Sequence, residues 1–179
     1  SCLVGSEMCI RDRNMAVLYA NTSRLKEAEN YVRTAVEVSK KCDDMDMVLY
    51  AASTAGGVMT LQKKYEEAAQ MLYPALAMAR KQRKPKFVLK SMTYLLNVYS
   101  RMNNNDSISH YMREAEKVMA ELPKSSGEVL GYQETLFKIL NNMGRYRESL
   151  AIQYQMLEAM DVNAQTPVAV SYTHLTLPT

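Results

Sequence analysis

The chain has no tryptophan, two phenylalanines and only six glycines in 179 residues. Scarce glycine leaves no Gly-rich phosphate loop, and there is no Gly-x-Ser-x-Gly, His-Glu-x-x-His or EF-hand pattern anywhere along it. The alternation of Val, Ile and Thr that strands require is also missing, while Ala, Leu, Met, Glu and Lys are abundant. This composition predicts an all-α chain. Charge is close to balanced, with a formal net of +3, well short of a nucleic-acid-binding composition.

The two ends do not fit the charged, periodic middle. Met8-Cys9-Ile10-Arg11-Asp12 back-translates as ATG TGT ATA AGA GAC, whose reverse complement reads GTC TCT TAT ACA CAT. That encodes Val-Ser-Tyr-Thr-His, the sequence of Val170 to His174. Unrelated protein segments have no physical reason to be encoded by complementary strands, whereas an adapter ligated in opposite orientations at both ends of a DNA fragment gives this by construction. SCLVGSEMCIRD and VSYTHLTLPT therefore resemble translated transposase-type sequencing adapters. A signal peptide would need a basic start followed by an apolar stretch, and neither is present. Residues 1–13 and 169–179 are accordingly set aside as adapter-derived, with 161–168 expected to be loop.

That exclusion thins the inventory of reactive groups. Cys2, Cys9 and His174 fall away, leaving Cys42 and His110 as the single cysteine and histidine. No disulfide framework, zinc site or Cys-His pair can be assembled from them within one chain. No metal, cofactor or catalytic residue is expected, and the chain reads as a non-enzyme. The longest uncharged run in the middle, Met47 to Gln62, contains Ser53, Thr54, Gly56, Gly57 and Thr60, so it is too short and too polar to span a membrane.

What is present is a period of about forty. RLKEAENYVRTAVEV (24–38), KYEEAAQMLYPALAM (64–78), NDSISHYMREAEKVM (105–119) and RYRESLAIQYQMLEA (145–159) align. Ala28, Ala68, Ile108 and Ser149 mark one position, and Ala35, Ala75, Ala115 and Met156 lie two helical turns further on, facing the same way. Small residues there let a neighbouring helix approach closely. Upstream of each segment runs a second apolar stripe at helical spacing, such as Leu89, Met92, Leu95, Leu96, Tyr99 and Met102. Each repeat is therefore a helical hairpin, with repeats at about 14–42, 44–83, 85–123 and 126–160.

Local punctuation agrees. Pro85 suits a first helical position, Ser125-Ser126-Gly127-Glu128 suits a capping box, and Asp43 and Asp106 suit N-caps. Polar turns fall at Thr22-Ser23, Lys63-Lys64, Asn103-Asn104-Asn105 and Gly144-Arg145. Pro74 conflicts with the pattern: inside a helix it removes one hydrogen bond and clashes with the Gln70 carbonyl. A kink near Gln70 or a restart of the helix is expected. Gly56-Gly57 reads as a notch for helix packing, and His110 as a surface or half-buried side chain.

Gly56, Tyr65-Glu66-Glu67-Ala68 and Ala75, with Ala16, Tyr19, Ala28 and Ala35 before them and Gly144-Arg145-Tyr146 after, resemble the tetratricopeptide repeat (TPR) family over residues 14–160. Leu96 and Phe137 at the small first-helix position, and Ile108 and Ser149 in place of alanine, depart from the family pattern. The resemblance implies a right-handed superhelical solenoid of antiparallel hairpins, about 3.5 repeats, with helices longer than the ordinary repeat, as in extended variants found in bacterial regulators and sensor kinases. It also implies a protein-interaction scaffold, a fragment of a larger bacterial chain, whose first helices line a groove for a peptide or helix. Carried over residue by residue, the groove positions are Lys90, Tyr94, Asn97 and Arg101 in the third repeat, and Lys138, Asn141 and Asn142 in the fourth. The polar face of any amphipathic helix would present the same residue types. Val17, Ser53, Thr54 and Gly57, at the corresponding earlier positions, do not reproduce the two-lysine, two-asparagine carboxylate clamp of chaperone-binding members.

The same resemblance admits two other settings. One is the sensory or linker part of a histidine kinase. The other is part of a transcription regulator whose DNA-binding domain lies elsewhere. Regulator repeats are cytoplasmic and sensor repeats can be periplasmic. Arg80-Lys81-Gln82-Arg83-Lys84-Pro85-Lys86 is the strongest charge run, but it has no interleaved aromatics to stack on bases and reads as a solvated helix end, so nucleic acid is not an expected partner. Exposed repeat ends are expected to favour self-association.

Overall fold

A computed structural model of the chain describes residues 2–39, 41 and 45–161. Cys42, Asp43, the 162–168 part of the expected loop, and 169–179 with His174 lie outside the described residues. Every described element is helical: α1 (Cys2–Asn21), α2 (Leu25–Ser39), α3 (Met45–Leu61), α4 (Tyr65–Lys81), α5 (Pro85–Arg101), α6 (Asn105–Met119), α7 (Gly127–Asn142) and α8 (Tyr146–Asp161). They form four hairpins. The first helices pack in succession, α1 on α3, α3 on α5 and α5 on α7, while each second helix packs on its own partner.

From α2 to α6 helices start every twenty residues, at 25, 45, 65, 85 and 105, and the spacing shifts only at α7 and α8, which start at 127 and 146. The turns explain this spacing. Ser23, Lys63, Arg83, Asn103 and Gly144 all have positive φ, between 52° and 73°. At each, that residue's amide bonds back three residues and the next amide bonds back five, as in Lys63 N to Thr60 O at 3.0 Å and Lys64 N to Met59 O at 2.8 Å. This Schellman geometry satisfies the last carbonyls of the preceding helix. It recurs at Arg83, between the second and third hairpins, whereas the longer α6–α7 link turns without a positive φ.

Seven of the eight expected interhelical positions are buried, and Met156 is half-buried. Ala28, Ala68, Ala35 and Ala115 are fully inaccessible, and Ile108 and Ser149 are each 1% exposed. Gly56 is the packing notch: a Cβ there would lie 3.3 Å from Leu72 Cδ1 and 3.6 Å from the Ala68 carbonyl. Gly57 is not part of it, since a Cβ would meet nothing within 4 Å. Adjacent residues on a helix point about 100° apart, so only one of the pair can face α4.

Pro85 opens α5 as expected, but two caps differ. Asn104, not Asp106, caps α6, its side chain accepting from Ser107 N at 3.0 Å; Asp106 lies in the first turn, where its charge suits the helix dipole. Ser126 caps α7 by accepting from Val129 N, one residue later than a Ser125–Glu128 box requires, and Glu128 instead faces Lys86 and Lys90. The helix also does not restart at Pro74: α4 is a single element through it, with the proline on its exposed face.

Residues 2–13 continue α1 as helix, so the first hairpin has a full-length first helix. One position there breaks the pattern. Asp12 is 4% exposed and occupies the row filled by Ala52 and Met92 in the next hairpins, with its carboxylate paired to the neighbouring Arg11. A carboxylate in a core row opposes burial.

Candidate functional site

Successive first helices present equivalent positions side by side. The row Asn14, Thr54, Tyr94 and the row Val17, Gly57, Asn97, Lys138 run across α1, α3, α5 and, for the second row, α7. Two adjoining hollows open on this face and share Val17 and Thr54. One, of about 430 Å³, is walled by Val17 and Ala20 of α1, by Ser53, Gly57 and Leu61 of α3, and by Tyr94 of α5. The other, of about 590 Å³, lies between Asn14, Leu18, Asn21 and Tyr50. Val17, Leu18, Tyr50 and Leu61 are 41–60% exposed, an unusual degree for large apolar side chains.

Of the seven groove residues named from sequence, Tyr94 alone walls a hollow. Asn97, Arg101, Lys138 and Asn142 are exposed on the same layer of helices. Lys90 is half-buried, its ammonium 3.6 Å from Glu128 and 5.7 Å from the centre of the Tyr50 ring. Asn141 is committed internally, because Ser149 Oγ donates to its Oδ1 at 2.9 Å. Lys138 pairs with Glu134 along its own helix. The hollows are not legible in the sequence: Val17, Ser53, Thr54 and Gly57 lack the charged groups of a carboxylate clamp, and only the packing of α1 on α3 brings them around one depression.

Charge is distributed unevenly along this face. Asp46 is the only charged residue of α3, and none lies on α1 after Arg13. Around α5 and α7 stand Lys86, Lys90, Arg101 and Lys138, against Glu128 and Glu134. Burial raises the Glu128 carboxyl, but its own backbone hydrogen bond together with Lys86 and Lys90 outweighs that, leaving it below the ordinary carboxylate range.

Two of the five cations in the basic run pair with carboxylates on the helices beside it. Arg80 reaches Glu114 of α6 at 2.6 Å, and Lys86 reaches Glu128. Arg83 forms the left-handed turn. A cleft of about 400 Å³ beside them mixes Lys84 and Lys117 with Glu114 and Glu121. His110 is exposed, with Nε2 3.5 Å from Glu114. Among the described residues no group of His, Cys, Asp and Glu is arranged to hold a metal, and no helix is long and apolar enough to cross a membrane.

No family model matches the chain, and neither does any curated protein. Solved structures do. A putative kinesin light chain with nearly identical TPR-like repeats from Podosopora anserina is similar at a TM-score of 0.66 and 15% identity, over 88% of this chain and 77% of that one. The apo form of RapI is similar at 0.68 and 12%, over 88% and 57%. BtubC from P. vanneervenii is similar at 0.66 and 14%, over 90% and 72%. At such identities the likeness speaks for the fold, and the chain is a solenoid of TPR-like helical hairpins.

Proposed function

We propose that this chain is a non-catalytic protein-interaction scaffold, holding a peptide or helix of a protein partner across the face of its first helices. The observation that carries the reading is the pair of adjoining hollows with exposed apolar walls on α1, α3 and α5. Neighbours of the same fold, one of them a putative kinesin light chain, support an interaction role. Panning a random peptide library against the protein tests it. Enriched peptides are expected to lose affinity when Gly57→Leu fills the hollow and to keep it with Glu66→Ala on the second-helix layer. No enrichment, or binding indifferent to Gly57→Leu, would overturn the reading.

A second reading, self-association, rests on α8. Leu150, Leu157 and Met160 are 62%, 56% and 50% exposed. They occupy the rows that Ala69, Leu76 and Ala79 fill in α4, where the same face is buried beneath α5. Sedimentation should show association that Leu150→Glu with Leu157→Glu abolishes; a monomer at all concentrations would refute it.

Residues 1–13 and 169–179 we read as adapter-derived. The complementary coding of the two ends supports this, as does the acidic side chain at the core row of Asp12. Transposase-free sequencing of the source locus decides it: genomic DNA encoding both stretches would sink the reading.

A further inference from the structure

We propose that the groove takes a two-part ligand, a peptide whose aliphatic or aromatic residues seat between α1 and α3 while its acidic residues lie against α5 and α7. The inference rests on the groove reading above and adds the chemistry of its occupant.

Three observations carry it. First, the hollows lie between α1 and α3, with Tyr94 reaching into one of them from α5, and no charged side chain lines either. Concave sites with apolar walls select apolar side chains. No cation lines either hollow, so an acidic group seated there finds no ion pair within it.

Second, the next two first helices carry the surplus of positive charge. Lys86 and Lys90 share one carboxylate, Glu128, at 3.4 and 3.6 Å. Arg101 is exposed on the same helix, one row from Lys138. A guanidinium and ammonium groups in this arrangement attract carboxylates from an incoming chain and repel cationic ones.

Third, the two zones are continuous. Lys90 sits over the Tyr50 ring at 5.7 Å, so the first cation of the basic zone borders the last aromatic of the apolar one. Tyr94, which walls a hollow, is one helical turn from Lys90 on α5. A single extended segment of about six to eight residues spans two such zones, at roughly 3.3 Å per residue.

The test uses four fluorescein-labelled synthetic peptides and the full chain. One carries Leu and Phe followed by Asp and Glu, one has the halves in reverse order, one replaces every acid by its amide, and one is acidic throughout. One of the two mixed peptides should bind best, since each zone contributes in one orientation. The amide version should bind more weakly by on the order of tenfold at low salt, from a few partly exposed ion pairs, and the gap should close as salt rises. Charge reversal by Arg101→Glu with Lys138→Glu should cost the mixed peptide a similar factor and leave the amide version unchanged. Circular dichroism of that double variant verifies its fold, since both sites are exposed.

If the mixed and amide peptides bind alike and both are displaced by Gly57→Leu, the two-part inference fails while the groove reading survives. If the all-acidic peptide binds as well as the mixed one, the apolar zone plays no part and the inference fails. If Gly57→Leu changes nothing for any peptide that binds, the groove reading itself fails.

Discussion

Gly56 and Gly57 are adjacent in one helix, yet side chains added at the two should act in opposite ways. Either alanine removes a helix-interior glycine, which favours the helix by about 1 kcal/mol. At Gly57 that gain meets no opposition, because nothing lies within 4 Å of the new methyl. The expected result is stabilisation of about 1 kcal/mol, a rise in Tm of about 2–4 °C for a chain of this size. At Gly56 the methyl would press on Leu72, 3.3 Å away at Cδ1 and 3.4 Å at Cγ, and Leu72 is only 1% exposed with little room to move. Gly56→Ala should therefore fall near zero. Valine widens the contrast: overpacking at Gly56 costs about 1–3 kcal/mol, whereas Gly57→Val should stay near neutral. Urea denaturation followed by far-UV circular dichroism reads all four variants. Equal tolerance of valine at both positions would refute the contact between α3 and α4 on which the hairpin packing rests. Gly57 also borders the hollow beside Tyr94, so Gly57→Val should weaken peptide binding without weakening the fold.

The remaining predictions concern turns, core and charge. Lys63 holds a left-handed φ of 59° without being glycine, so Lys63→Gly should raise stability by about 0.5–1 kcal/mol, while Gly144→Ala should lower it by about 1; paired urea midpoints check both signs. Ala68→Ile, into a fully buried site, should cost about 1–3 kcal/mol. Ile108→Ala, at the same position one repeat later, should cost about 2–5, and an unchanged midpoint for either would contradict the register. Glu29 accepts from Lys64 and Arg33 at 2.9 and 2.7 Å, which lowers its carboxyl to about 2 from the ordinary 4.5. The unfolded chain therefore binds the extra proton first as pH falls. The stability Glu29 contributes is complete above about pH 4.5 and is lost toward pH 2. Glu29→Gln should cost about 1 kcal/mol at pH 7 and nothing near pH 2, and a difference independent of pH would refute the assignment.

The sequence by itself determined the helical class, the period of about forty and the hairpin as its unit, though not that α1 runs back to Cys2. Those follow from local rules: apolar residues every three to four positions define a buried stripe, and a residue such as Asn103 or Gly144 that tolerates positive φ ends a helix. Ala28, Ala68 and Ala115 revealed the interface because a missing side chain is visible in one dimension. Tertiary structure decided the rest, since each outcome depended on what another helix places opposite. Gly56 and Gly57 have the same chemistry, and only the position of Leu72 separates notch from open wall. Lys86 and Lys90 look like free cations until α7 brings Glu128 between them, and Arg80 does until α6 brings Glu114. The hollows are less legible still: Val17, Thr54 and Tyr94 lie about forty residues apart in the chain, and no single helix encodes the space left between three.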